Sequence, residues 1–68
     1  MITEDVGQRI KSLRNAQGLS QEKLALKAEI DRTYLAGTEQ GKRNISLKSL
    51  DKIVKALDVS LEEFFKGI

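Results

Sequence analysis

The sequence QEKLALKAEIDRTYLAGTEQ, residues 21–40, decides the fold. Apolar residues recur in it at spacings of three and four, which is typical of helices with one buried face. Ser20, just before the stretch, and Asp31 within it can each cap the start of a helix. The stretch therefore predicts two short helices joined by a turn, and Gly41 should end the second. The first should bury Leu24, Ala25 and Ala28, and the second contains Tyr34, Leu35 and Thr38.

A longer helix precedes this pair, over about residues 4–17. Thr3 can cap its start, acidic residues follow where the helix dipole favours them, and Gly18 stands just past its end. The residues of this helix that should face inward are Val6, Ile10 and Leu13.

Two more helices follow the pair. Ser46 can cap the first of them, and Asp58 is expected to close it in a left-handed conformation. Ser60 and Glu63 have the spacing of a capping box, which opens the last helix. The first of the two should bury Leu47, Leu50, Ile53, Val54 and Leu57, and the last carries Leu61, Phe64 and Phe65. The sequence thus predicts an all-α fold of five short helices in a single domain, residues 1–68.

Length and composition exclude most other classes of protein. The chain has 68 residues, of which 40% are apolar and 32% are charged, and it contains no Cys and no His. This composition favours a small folding domain without disulfides, structural zinc or imidazole chemistry. We therefore expect no enzyme, no metal and no cofactor. Because the apolar runs are short, we also expect no membrane span and no signal peptide, and a cytoplasmic protein at the nucleoid.

The basic residues are unevenly distributed, although the net charge is only +2. A run of basic residues is often a solvated helix face, and that interpretation is favoured for Lys48, Lys52 and Lys55. Lys42 and Arg43 differ because they directly follow the second helix of the central pair. Their position favours contact with nucleic acid.

Two helices of about eight residues joined by a turn form a helix-turn-helix. Its second helix, the recognition helix, enters the DNA major groove. Ala25 lies where the two helices cross, so its small side chain lets their backbones approach. Arg32 and Thr33 fall in the first turn of the second helix, which points at base edges. Arg32 can bind guanine O6 and N7, and the methyl group of Thr33 can meet a thymine methyl. The alternative for Arg32 is a contact with phosphate or solvent.

Three more residues are candidates for contacts with the DNA backbone. Gln21 can donate to a phosphate from the first turn of its helix, or it can be an ordinary solvated residue. Tyr34 combines a ring that can pack in the core with a hydroxyl that can reach a phosphate. Lys42 lies where a docked helix would meet the backbone.

The stretch LSQEKLALKAEIDRTYLAGTEQGKRNISLKSLDKIVKALDVSLEEFF, residues 19–65, resembles the Cro and lambdoid-repressor type (XRE-like) of helix-turn-helix regulator. The resemblance implies a compact lambda-repressor-like DNA-binding domain. Within this family, the stretch is most similar to the short controller proteins of restriction-modification systems, which set the expression of their own operon. The residues that carry this likeness are Ser20-Gln21-Glu22, Leu24-Ala25, Arg32-Thr33-Tyr34-Leu35, Glu39 with Gly41, and Arg43-Asn44.

The resemblance also implies residue roles and partners. It implies that Gln21 braces the recognition helix, that Arg43 contacts a base or the minor groove, and that Asn44 contacts the DNA backbone. A phosphate contact remains the alternative for Arg43. The implied function is an autoregulatory transcriptional regulator that binds palindromic operators as a homodimer. Double-stranded DNA is the main expected partner, RNA polymerase is a further candidate, and no small-molecule effector is expected.

Three residues depart from the pattern of these regulators. Glu29 stands in the turn where Gly or Asn is usual, and a positive φ at a residue other than Gly costs about 1 kcal/mol, so either the turn is strained or its geometry differs. Thr38 takes a position that is usually aliphatic. Gly37 replaces a side chain that contacts a base in many relatives, which leaves more of the specificity to DNA shape. The other explanation for Gly37 is close packing against the duplex or a neighbouring helix.

A single recognition helix covers too few base pairs to be specific, which favours a dimer with half-sites about 34 Å apart. The C-terminal helix is expected to serve dimerisation. The interface should use the apolar residues left over from the core, around the start of the fourth helix and the C-terminus: Ile45, Leu61, Phe65 and Ile68. Alternatively, these four residues complete the core of the monomer. The alternative function is a protein-protein interaction module of antitoxin or adaptor type, because small helical bundles with an exposed apolar end can bind partners without DNA.

Overall fold

The computed structural model describes all residues 1–68 and contains five α-helices and no strand. The helices are α1 (Ile2–Ala16), α2 (Gln21–Ala28), α3 (Arg32–Glu39), α4 (Leu47–Ala56) and α5 (Leu61–Lys66). This architecture confirms the all-α prediction and the two short helices expected within residues 21–40. None of the five has the length and apolar character needed to span a bilayer.

Four of the helices begin with the predicted side-chain caps. Ser20, Asp31, Ser46 and Ser60 each accept a hydrogen bond from the backbone N–H three residues later, at 3.0–3.1 Å. Each such cap stabilises a helix by about 1 kcal/mol. At Ser60 this is the only hydrogen bond of the expected capping box, because the Glu63 side chain does not accept from the Ser60 N–H.

The predicted cap of α1 is wrong. The helix begins at Ile2, and Met1 occupies the cap position without a side-chain hydrogen bond. The Met1 carbonyl accepts from the N–H of Asp5 at 3.0 Å, so the helix starts earlier and Thr3 lies inside its first turn. Thr3 therefore caps no helix, and it lines an apolar groove with Ile2.

The core is a cluster of twelve buried apolar residues. Its members are Val6, Ile10, Leu24, Ala25, Ala28, Leu35, Leu50, Ile53, Val54, Ala56, Leu57 and Phe64, and Leu13 packs against it from a half-buried position. The prediction that Leu47 would be buried is wrong, because its side chain is 84% exposed. Leu47 is the first residue of α4, and the stripe that faces the core begins one turn later, at Leu50.

The turn between α2 and α3 is strained, which is one of the two outcomes that Glu29 left open. Glu29 adopts a left-handed conformation, with φ of 58°, and Asp58 closes α4 in the same way, with φ of 60°. The N–H of Ile30 donates to the carbonyl of Ala25 at 3.0 Å, which closes the end of α2. The left-handed residue thus allows the chain to reverse within three residues and begin α3 at Arg32.

Helix α1 crosses the end of α3 at a glycine. A Cβ added to the buried Gly7 would lie 2.8 Å from the carbonyl oxygen of Glu39 and would also collide with that of Thr38. Gly7 weakens helix propensity by about 1 kcal/mol relative to Ala, but it allows the two backbones to touch. The close approach fixes the position of α3.

Candidate nucleic-acid interface

The first turn of α3 presents both predicted base-contacting residues to solvent. Arg32 and Thr33 are exposed, and neither side chain forms a hydrogen bond or ion pair within the protein. Asp31 caps the helix through the N–H of Tyr34, so this turn is ordered. The structure therefore leaves the donors of Arg32 and Thr33 available to an external acceptor.

The surface of α3 continues into the loop that follows it. Thr33, Gly37, Lys42 and Arg43 line one open depression, which also includes Ala36 and Gln40. The chain reaches this position because Gly41 adopts φ of +76° against α1, and the N–H of Lys42 donates to the carbonyl of Gly37 at 3.0 Å. Thr33 of α3 and two residues of the following loop, Lys42 and Arg43, are thus brought to one surface, and all three are predicted contact residues.

Arg43 is exposed, but its side chain lies against α3. Its guanidinium carbon is 5.4 Å from the centroid of the Tyr34 ring, a distance typical of cation–π contacts. Its stem passes beside Gly37, where an added Cβ would lie 3.1 Å from Arg43 Nε. Gly37 therefore packs against the side chain of Arg43, a loop residue, and not against the neighbouring helix that the sequence suggested.

Tyr34 has the half-buried ring that the sequence suggested. Its hydroxyl oxygen accepts from the N–H of Ser46 at 3.3 Å, which joins α3 to the start of α4. The hydroxyl proton is still available for donation, because that bond uses only an acceptor site. The predicted phosphate contact is compatible with this arrangement.

Gln21 is engaged inside the protein. Its Nε2 donates to Oε1 of Glu39 at 3.0 Å, which is the contact with the recognition helix that the resemblance implied. The side chain is half-buried, so the interpretation of Gln21 as an ordinary solvated residue does not hold. Its second amide proton and the first N–H groups of α2 can still face a phosphate.

A buried ion pair that was not predicted from the sequence joins α3 to α1. Arg14 Nε and Nη2 donate to the two carboxylate oxygens of Glu39 at 2.7 and 2.9 Å, and Nη1 donates to the carbonyl of Leu19 at 2.9 Å. The hydrogen bond to Glu39 raises the pKa of Arg14 above its ordinary value. One signal was present, because Arg14 continues the inward spacing of Val6 and Ile10.

Lys42 and Asn44 are exposed in the loop between α3 and α4. Neither side chain hydrogen-bonds within the protein, so both can reach a phosphate as predicted. Lys48, Lys52 and Lys55 are exposed along α4, and Nζ of Lys55 pairs with Asp51 at 3.0 Å. These three lysines form the solvated face that the spacing favoured.

The four residues predicted for the dimer interface differ in their surroundings. Ile45 is half-buried against the core, as the monomer alternative expects. Leu61, Phe65 and Ile68 remain 45%, 44% and 47% exposed. Ile45 and Phe65 line one groove of about 210 Å³ together with Ile2, Thr3, Val6, Thr38, Arg43, Asn44 and Leu50. The C-terminal end of the fold therefore carries an exposed apolar surface.

Comparison with known proteins places this geometry in a family. A family model described as helix-turn-helix matches residues 10–64. Control protein C.MunI of Mycoplasma sp is 44% identical over 63 residues, which are 91% of this chain and 85% of that relative. The crystal structure of the restriction-modification controller protein C.AhdI from Aeromonas hydrophila has a TM-score of 0.89 and 46% identity, covering 93% of this chain and 96% of that one.

A second similar structure contains DNA. It is the controller protein C.Esp1396I as a tetramer in complex with its natural 35 base-pair operator, with a TM-score of 0.92 and 42% identity. The match covers 97% of this chain and 87% of that one. The likeness extends over nearly the whole fold, including α2, α3 and the loop that carries Arg43. The chain therefore belongs to the helix-turn-helix family of XRE type, among relatives that are restriction-modification controller proteins.

Proposed function

We propose that this protein is a transcriptional regulator that binds palindromic operator DNA as a homodimer and controls a restriction-modification operon, including its own expression. The observation that carries the proposal is the first turn of α3, where Arg32 and Thr33 are exposed and unpaired on a braced helix. The similar controller protein C.Esp1396I, solved on its operator, supports DNA as the partner. Such a protein acts at the nucleoid.

The proposed contacts divide into two classes, since phosphate contacts position a protein and base contacts specify its site. The residues proposed to contact bases are Arg32, Thr33 and Arg43. The residues proposed to contact the backbone are Gln21, Tyr34, Lys42 and Asn44.

The proposed dimer uses the apolar surface at the C-terminal end of the fold. Leu61, Phe65 and Ile68 are the exposed residues there, and Ile45 extends the surface towards the loop after α3. Burying such side chains stabilises an interface by about 25 cal/mol per Å² of apolar area. We further propose RNA polymerase as a partner and regulation that follows the concentration of the protein without a small-molecule effector.

Selection of bound sites from a pool of random-sequence duplexes tests this function. We expect enriched sequences with two-fold symmetry and half-sites about one helical turn apart. An interaction module of adaptor type would enrich no sequence. Failure to enrich any sequence at low salt would contradict the proposal.

A further inference from the structure

Gly37 is the residue of α3 that the proposed function leaves without a role. It lies in the middle of the helix, on the same surface as Thr33 and Arg43, and it has no side chain with which to contact DNA. A glycine in a helix also weakens it relative to alanine. The space that a side chain at position 37 would fill is occupied by other atoms of the protein.

The stem of Arg43 occupies that space. A Cβ added to Gly37 would lie 3.1 Å from Nε of Arg43 and 3.3 Å from its Cδ and Cγ. Carbon atoms pack best about 3.5–4.0 Å apart, so a methyl group there would push the Arg43 stem outward by a few tenths of an ångström. All three of the atoms nearest to that methyl group belong to Arg43, which makes Arg43 the neighbour that Gly37 accommodates.

Tyr34 holds the other end of the same side chain. It lies one turn before Gly37, and its ring faces the Arg43 guanidinium at 5.4 Å. The ring is itself fixed, since its hydroxyl accepts from Ser46 and its backbone N–H donates to Asp31. Arg43 is thus held along α3 by the space at Gly37 and the face of Tyr34.

We infer that Gly37 is a positioning residue for Arg43. Because Gly37 has no side chain, a shallow groove is left along α3, and the stem of Arg43 lies in it. The guanidinium of Arg43 is thereby held at the surface proposed to meet DNA. The inference rests on the proposed function and assigns part of its specificity to a residue that cannot itself contact a base. A long side chain loses rotamer entropy when it binds a ligand. A side chain that is already held in one conformation loses less, so its contact with DNA is stronger.

The test compares Gly37→Ala, Arg43→Ala and the double variant on the duplex enriched from the random pool. Gly37→Ala should lower affinity about three- to tenfold, the range expected for a displaced cation–π contact. Its thermal midpoint should not fall, because alanine favours the helix. In the Arg43→Ala background, the added methyl group should have little further effect.

A matched background separates this effect from a general one. Lys42 adjoins Arg43 and lines the same depression, but none of its atoms is among those nearest to Gly37. The drop in affinity caused by Gly37→Ala should therefore persist in a Lys42→Ala background. An equal drop in the Arg43→Ala background would overturn the inference, since it would show that the methyl group obstructs the duplex directly. Unchanged affinity of the single variant would overturn it as well.

The free protein provides a second measurement, which does not depend on DNA. The Tyr34 ring should shift the NMR resonances of the Arg43 side chain, and Gly37→Ala should move them towards random-coil values. Unchanged Arg43 resonances would overturn the inference. If instead the unsubstituted protein preferred no duplex, the proposed function would fail, while this spectrum would still decide where Arg43 lies.

Discussion

Arg32 has no partner inside the protein, so its guanidinium is available to DNA. We expect Arg32→Ala to cost about 1–3 kcal/mol on the selected duplex and to relax preference at one position in each half-site. Binding measured on selected and scrambled duplexes would show the difference. Equal reductions in affinity on the two duplexes would contradict a base contact.

Lys42 supplies the control for that experiment. It is exposed beside the same depression, and its proposed contact is a phosphate. Lys42→Ala should therefore weaken binding to selected and scrambled duplexes alike. It should also reduce the magnitude of the salt slope by about 0.9, the value expected for one phosphate that is no longer neutralised.

Elements are joined by turns whose conformation the sequence encodes locally. Glu29 has φ of 58° and is exposed, so Glu29→Gly should raise the free energy of unfolding by about 0.5–1 kcal/mol, less the entropy that glycine gains when unfolded. Chemical denaturation measures the change. Glu29→Ala is the matched control, because it removes the carboxylate but keeps the Cβ, and it should not stabilise. A clear fall in stability of the glycine variant would show that the Glu29 side chain contributes more than its strain costs.

The caps and left-handed residues could be predicted because they depend on neighbours three or four residues away. Ser20 and Asp58 are examples, and both have the expected geometry. The braces between elements could not be predicted, because their partners are distant in sequence. Arg14 pairs with Glu39 across 25 positions, and Arg9 donates to the carbonyl of Phe64 across 55. Only the fold determines such pairs.

Dependence on the whole fold also explains the two wrong predictions, and it explains why only part of the candidate site could be predicted. Thr3 satisfies the local rule for a cap and Leu47 the local rule for an inward face, but α1 begins at Ile2, ahead of Thr3, and Leu47 is 84% exposed as the first residue of α4. Arg32 could be placed from its position in the first turn of α3. The packing of Arg43 on Gly37 could not, because a loop conformation produces it.

The whole molecule is expected to act as a dimer. Phe65 is 44% exposed at the edge of the apolar groove, and Phe65→Ser should weaken self-association about tenfold or more, because less apolar area is then buried. Sedimentation measures the oligomeric state. Leu26→Ser is the matched control, since Leu26 is 74% exposed on α2 and should leave that state unchanged. A parent protein that stayed monomeric at micromolar concentration, even on DNA, would contradict the proposed dimer.

The central claim is that α3 and the basic loop after it recognise DNA. The most direct measurement is the affinity of the unsubstituted protein for the selected and scrambled duplexes across a range of salt concentrations. We predict affinity for both that falls steeply with salt, because phosphate contacts release counterions, and tighter binding to the selected duplex at every concentration. Binding that does not change with salt, or that does not distinguish the two duplexes, would contradict the claim.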